Sequence, residues 1–234
     1  MEARKAAREQ LEHGADWIKV YMTHRSWVDA AGNLVSQPTL TLDEIKAIVD
    51  ETHGWGKKVA CHAYNGVGLH RALDGGCDSI EHGLELDDAA VQQMVKQGTW
   101  YCPTMSVYYT HNEPPDTPGG KRDRKRVALH GPSLTKAYKA GVKIAFGTDV
   151  GGFPWTDPIA AEFPRMVEFG MTPMDAIRSA TSAAAEMLGM SGQIGVVAPG
   201  AYADIVAVPG DPLKDVKELS KVSFVMKDGK VYKN

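Results

Sequence analysis

Apolar positions along this chain gather in short runs of four to six residues, and each run is followed by a longer stretch where they recur every three or four. Residues 2–13 are polar and charged and read as a helix that stops at Gly14, after which comes the run "WIKVYM". "TLDEIKAIVDETHGWG" starts with Thr41 and carries Glu44 three positions on, the spacing of a capping box, and glycines close it. The alternation continues through "KVACHA", "GVGLHRALDGG" and "SIEHG". In "DDAAVQQMVKQG" an aspartate stands near the cap and Gly98 marks the stop. "WYCPTM" predicts a strand despite its proline, "RVALHGPSLTKAYKAG" a helix and "KIAFGTD" a last strand. Further helix is expected over about 158–189, where "MTPMDAIRSAT" puts threonine at the cap and proline in the first turn. Five strand-then-helix units in succession imply parallel strands joined by right-handed crossovers.

After about residue 190 the texture changes to short strands separated by Gly, Pro and Asp, and Asp228-Gly229 is a strong hairpin signal. The expected organisation is a β/α portion over 1–190 and a small all-β segment over 191–234.

Composition narrows the function classes. The hydrophobic fraction of 43% and charged fraction of 24% are those of a globular chain, and 234 residues suffice for a sizeable core. A net charge of −3 argues against nucleic acid or an anionic membrane as the main partner. The most basic run, "KRDRKR" at 121–126, reads as a solvated helix start. Cys61, Cys77 and Cys102 are too few and too scattered for a disulfide framework, which suggests a reducing compartment and a cytoplasmic location. The charged opening shows no apolar signal-peptide core, and no apolar run reaches transmembrane length.

The candidate chemistry sits at strand ends. In "WIKVYM", Ile18 and Val20 share one face and leave Lys19 on the other; in "KVACHA", Cys61 and His62 face opposite ways. In "SIEHG", His82 shares a face with Ile80, and Asp149 ends "KIAFGTD" in line with the small residues Gly147 and Ala145. In parallel α/β folds the C-terminal ends of the strands carry the chemistry. A lone strand histidine is most often a hydrogen-bonded structural residue, and Asp149 after "FGT" also suits a loop cap. A lysine in an apolar strand is harder to explain structurally, because burying an unpaired ammonium is costly.

The motifs "GADWIKVYM", "KKVACHAYN", "GCDSIEHGLEL", "GVKIAFGTDVG", "GMTPMDAIRSATSAAAEMLGM" and "IGVVAPGAYADIVAV" together resemble the metal-dependent amidohydrolase superfamily, in its imidazolonepropionase-like and prolidase-like branch. The resemblance implies an α/β fold, a partial (β/α)8 TIM-type barrel with a small C-terminal β appendage. It implies a lysine carboxylated by CO2 that bridges two divalent metals, with zinc expected, and this role falls on Lys19. By the same resemblance His62 and His82 bind the second metal, while Asp149 binds the first and takes the proton of the attacking water. The family's first-strand His-x-His pair has no counterpart among the 234 residues, so the chain corresponds to the family's C-terminal part, a five-unit partial barrel and half of a β-sandwich. Exposed strand edges at the cut imply a homo-oligomer, a dimer joined across the open edge.

Other residues are candidates on position alone. Tyr64, two beyond His62, shares its face and suits a hydrogen bond to a substrate carbonyl or oxyanion, or else a place on the rim. "SVYYTHNEPPDTPGG" is too polar and Pro-rich for core and suggests a substrate lid or wall, with Tyr108, Tyr109 and His111 as contacts. Phe153 and Trp155 in "GGFPWTDP" either line the same mouth or pack the loops, and Cys61 reads as a small hydrophobe facing the helices.

Two functions follow. One is a metal-dependent hydrolase that cleaves an amide, peptide or ester bond of a small-molecule or dipeptide-like substrate, with Asp149 and Tyr64 as catalytic residues. The other is a non-catalytic amidohydrolase-like domain that oligomerises.

Overall fold

The computed structural model describes residues 2–110 and 113–234; the suggested contact His111 lies outside the described residues. In chain order the elements are α1 (Glu2–Glu12), β1 (Trp17–Tyr21), β2 (Thr23–Val28), β3 (Leu34–Pro38), α2 (Leu42–Gly54), β4 (Lys58–Ala63) and α3 (Gly66–Gly75). Then come β5 (Ser79–His82), α4 (Asp88–Gln97), β6 (Trp100–Cys102), α5 (Ser106–Tyr109) and α6 (Pro118–Ala140). The remainder holds α7 (Glu162–Glu168), α8 (Pro173–Ala180), α9 (Ser182–Leu188), β7 (Ile205–Ala207), β8 (Phe224–Lys227) and β9 (Lys230–Lys233). These elements form two compact units: one ends at Lys143 and leaves out Thr104–Thr110, which belong with Ile144–Asn234 in the other.

The caps form where the side chains call for them. Thr41 Oγ1 accepts from the Glu44 amide at 3.3 Å while the Glu44 carboxylate accepts from the Thr41 amide at 2.8 Å, completing the capping box of α2. Asp87 caps α4 by accepting from the Ala90 amide at 2.8 Å, and Gly98 closes it in the left-handed region. Thr172 caps α8 ahead of Pro173.

In the first unit four strands form a parallel sheet in the order β1-β4-β5-β6. Ile18, Val59, Leu69, Leu73, Ile80, Met94 and Tyr101 are buried around it. The architecture is α/β, a partial barrel. Tyr21 lies opposite His62, and Ala63 opposite His82, so the register brings these residues to one end of the sheet.

The fifth strand expected from "KIAFGTD" does not form as a named strand. The Tyr101 amide donates to the Lys143 carbonyl at 2.8 Å, but the Phe146 amide then donates to the Ser179 carbonyl at 2.9 Å, and Asp149 turns to φ 56°. A helix end has taken the donor that a strand neighbour would use.

The antiparallel pair β2–β3 was not foreseen. Its turn is "DAAGN", where the Asp29 carboxylate accepts from the amides of Ala31 at 2.9 Å and Asn33 at 2.8 Å and Gly32 takes φ 84°.

Four further expectations are corrected. Lys19 is exposed on the outermost strand of the sheet, so it carries no burial cost. Cys61 and Cys77 form a disulfide with Cα atoms 6.1 Å apart; Cys61 is buried as expected, but it is bonded and not a lone hydrophobe. The fold brings together two cysteines that a separation of 16 residues left looking unrelated. The run 121–126 is not uniformly solvated, since Asp123 and Arg126 are buried. The suggested lid or wall is core at its start, where Ser106, Val107 and Tyr108 are buried.

The second unit contains the reason for that last point. Glu162, with no exposed surface, accepts from the amides of Met105 and Ser106 at 2.7 Å each and so holds the start of α5. The Arg165 guanidinium carbon lies 3.8 Å from the centre of the Tyr109 ring. Phe153 is buried, whereas Trp155 is 77% exposed. β7, β8 and β9 form an antiparallel sheet, with Asp228 and Gly229 at φ 49° and 74° in the predicted hairpin. No helix among the described residues is long and apolar enough to cross a membrane.

Candidate functional site

His62 ends its apolar run one residue from the close of β4, and His82 is the last residue of β5. Because the strands are parallel and in register, the two rings meet, with centroids 4.3 Å apart and planes at 65°. Both are buried, at 7% and 4% exposure. Nε2 of His62 is itself buried and has no hydrogen-bond partner among the described residues. A buried imidazole nitrogen normally has one.

The backbone that presents His82 is unusual. His82 takes φ 75° and Gly83 φ 47°, so the chain turns sharply as β5 ends. A Cβ at Gly83 would stand 2.6 Å from Cε2 of Tyr101, which is why glycine follows the histidine in "SIEHG". Ser133 Oγ in α6 receives the Leu86 amide and donates to the Leu84 carbonyl, both at 2.9 Å, and so holds the chain just beyond.

Aromatic and cationic groups surround the pair. The Tyr64 ring centre is 4.5 Å from that of His62 and 5.7 Å from that of His82. Tyr21, half exposed, lies 4.4 Å from His62 and 6.1 Å from His24. Burial holds the His62 imidazole down to about 3, and the positive charges of Lys19, His24 and Arg126 push the same way. Burial likewise drives His82 well below its ordinary value, with His62, Lys19, His130 and Arg126 adding to it. Both rings are therefore neutral at neutral pH, the form in which imidazole offers a lone pair to a metal.

The structure thus brings together His62, His82 and Tyr64, with Lys19 near enough for its charge to act on both histidines. Asp149 belongs to the other unit, at φ 56° directly after the buried Thr148. Tyr108 and Tyr109 also lie in that unit, the first buried and the second against Arg165.

Two residues beside the histidines had no signal in their local sequence. His130 in α6 is fully buried with its ring toward the backbone carbonyls of His82 and Pro103, and burial lowers it to about 3. Arg126, also in α6, has its guanidinium carbon 5.2 Å from the Tyr64 ring centre.

The two imidazoles suit a borderline divalent metal such as zinc, and the partnerless Nε2 of His62 fits a ligand position. Among the described residues no three His, Cys, Asp or Glu side chains cluster as a metal group.

Comparison with known proteins bears on the whole chain. It is 32% identical to an ochratoxinase of Aspergillus niger over 99% of its own length and 49% of that protein. It is 31% identical to an imidazolonepropionase of Ralstonia nicotianae over 64% of its length and 35% of that protein. The crystal structure of a Xaa-Pro dipeptidase with bound methionine superposes with a TM-score of 0.87 at 36% identity, covering all of this chain and 58% of that one. The chain spans about half the length of the first of these relatives. The Amidohydrolase family matches residues 1–232, and the chain belongs to that family.

Proposed function

We propose that the chain carries the water-activating part of a metal-dependent hydrolase, cleaving an amide, peptide or ester bond in a small-molecule or dipeptide-like substrate. The observation that carries this reading is the facing pair of buried, neutral imidazoles, one with a ring nitrogen that has no hydrogen-bond partner. Relatives named ochratoxinase and Xaa-Pro dipeptidase support hydrolysis as the reaction class.

His62, His82 and Lys19 would hold the metal, Lys19 after its neutral amine adds CO2 to give a carbamate and a proton. Exposure of Lys19 favours that addition, because the amine is reachable from solvent. A divalent metal bound there, zinc by the donor set, supplies Lewis acidity and lowers the pKa of water. His62 and His82 need lose no proton on binding, since burial already keeps them neutral. Tyr64 donates a hydrogen bond to the carbonyl oxygen as charge develops on it. Asp149 receives the proton of the attacking water and returns it to the leaving nitrogen or oxygen.

A second reading, a non-catalytic domain that oligomerises, is favoured by the outer position of β1, with Lys19 and Tyr21 exposed on it. Metal content separates the two. After zinc loading and desalting, the hydrolase reading expects about one zinc per chain, lost in His82→Ala, and chelator-sensitive turnover of an amide, dipeptide or ester. Zinc-free protein with no turnover, sedimenting as a dimer, leaves the second reading in place.

A further inference from the structure

The Cys61–Cys77 bridge borders a cavity. The cavity holds about 400 Å³, and His53, Lys58, Cys77, Asp78, Thr99 and Trp100 are in its wall. Three of these mark the starts of strands: Lys58 opens β4, Asp78 directly precedes β5 and Trp100 opens β6. His62 lies four residues further along β4, about 13 Å at the rise of a strand, so the cavity is at the opposite end of the sheet from the imidazole pair. Cys77 lines the cavity with 2% of its surface exposed, whereas Cys61, inside β4, is wholly buried. The bridge is therefore approached from the Cys77 side.

The charged lining favours an anion. Among the described residues Asp78 is the carboxylate of the wall, and the wall itself engages it: Oδ2 accepts from the Val59 amide at 2.7 Å and lies 2.8 Å from His53 Nε2. Lys58 brings an ammonium to the same wall, its Nζ 5.4 Å from the centre of the Trp17 ring. Trp100, 7% exposed, adds an apolar surface beside these groups. A thiol that attacks a disulfide does so as the thiolate, itself an anion. The charge of Lys58 thus favours both the attacking sulfur and any carboxylate on the same small molecule.

We propose that Cys77 is a thiol-exchange site, and that the cavity admits a low-molecular-weight thiol bearing a carboxylate. The small thiolate attacks Cys77 Sγ and forms a mixed disulfide there, while the Cys61–Cys77 bond breaks and Cys61 leaves as a thiolate that takes up a proton. A second thiolate then attacks the small molecule's sulfur in the mixed disulfide, and Cys77 leaves and is protonated in turn. In sum two small thiols are oxidised to one disulfide, and their two electrons and two protons pass to Cys61 and Cys77. Cys61 is also the sulfur that reverses the first step, by attacking the mixed disulfide and restoring the bridge. The site stands whether or not the histidine pair at the other end of the sheet holds a metal.

The test uses reduced glutathione, an anionic thiol, and cysteamine, a cationic one, on the native 234-residue chain. Free thiols are alkylated at intervals, and peptide mapping by mass spectrometry follows Cys61, Cys77 and Cys102. The rate of bridge opening should rise in proportion to thiol concentration, with the adduct on Cys77. A rate that levels off at the unfolding rate means that the bridge opens only in the unfolded chain, and overturns the proposal. So does wild-type protein isolated without the bridge. With each rate divided by that on an unfolded peptide carrying the same bridge, glutathione should exceed cysteamine roughly 3- to 10-fold, the size of one partly exposed charge interaction. Lys58→Met should abolish that preference; no preference in the wild type, or an undiminished one in the variant, overturns the anionic class of ligand. Cys61→Ala lacks the returning sulfur and should take one glutathione from glutathione disulfide on Cys77, whereas folded Cys77→Ala should take none on Cys61. The reverse result overturns the assignment to Cys77. Melting temperatures are recorded for every variant, and the wild-type kinetics decide by themselves if one fails to fold.

Discussion

The Tyr101 hydroxyl lies 3.0 Å from the carbonyl oxygens of both His82 and Gly83, and Tyr101 is wholly buried as it spans the two. The contact holds His82 at φ 75°, a region that costs a non-glycine residue of order 1–3 kcal/mol unless its surroundings fix it. The histidine ring is aimed by its neighbour's phenol as much as by its own strand.

Tyr101→Phe should therefore cost about 1–3 kcal/mol of stability, since two buried carbonyls lose their shared donor. It should also weaken metal binding at His62 and His82 by more than the stability loss alone implies, because the turn is freed. Denaturant titration and zinc affinity, measured on the same preparation, check this. A variant that loses stability but keeps wild-type zinc affinity would show that Tyr101 supports only the core.

The disulfide gives a second expectation. Cys61 precedes His62 in β4, and Cys77 stands just before β5, so the bridge ties the start of one histidine strand to the body of the other. A loop of this length is worth about 3 kcal/mol in the chain-entropy account. Cys77→Ser, or reduction of the wild type, should lower the unfolding free energy by that order, and reductant should have little further effect on the variant. Equal stability with and without reductant would mean that the bridge does not form in solution.

What was legible in the sequence was local or periodic. The Thr41–Glu44 box, the Gly98 stop and the Asp228-Gly229 turn need only neighbouring residues, and each is found. The meeting of His62 and His82 followed from strand ends in a parallel sheet, a rule of periodicity and register. Arg126 was not legible, because its partner Ser26 is 100 residues away and belongs to a hairpin whose strands lack clean alternation. The hairpin did leave a trace in "DAAGN", where Asp, Gly and Asn mark a turn. The exposure of Lys19 depended on β1 being the outer strand, which no residue of "WIKVYM" encodes.

Glu162 sets up a pH dependence within the second unit. Burial raises its pKa above the ordinary carboxylate value, against the opposing hydrogen bonds from Met105 and Ser106 and the charge of Arg165. A carboxyl whose folded pKa is raised binds more protons folded than unfolded, so its stabilising contribution is full below the unfolded value and is lost as pH rises through the folded one. Glu162→Gln cannot titrate. The stability of the wild type relative to Glu162→Gln should thus decline as pH rises from the ordinary carboxylate range through the raised folded value. Urea unfolding of both proteins across that range measures it, and a difference that grows with pH would contradict the raised value.

The role proposed for Asp149 is best tested with a variant chosen for its backbone. Asp149 sits at φ 56°, a left-handed conformation that asparagine tolerates and alanine does not, so Asp149→Ala mixes strain with loss of the carboxylate. Gly152 closes the same turn, donating its amide to the Asp149 carbonyl at 2.9 Å, which makes the local geometry sensitive to such strain. Asp149→Asn keeps shape and turn and removes only the base. On any amide or ester that the wild type hydrolyses, it should lower kcat by at least the roughly 100-fold typical of a lost general base, with melting temperature unchanged. Asp149→Glu restores a carboxylate at the wrong reach and should recover part of the rate. Near-native kcat in a folded Asp149→Asn protein would place the proton transfer on another residue and remove Asp149 from the mechanism.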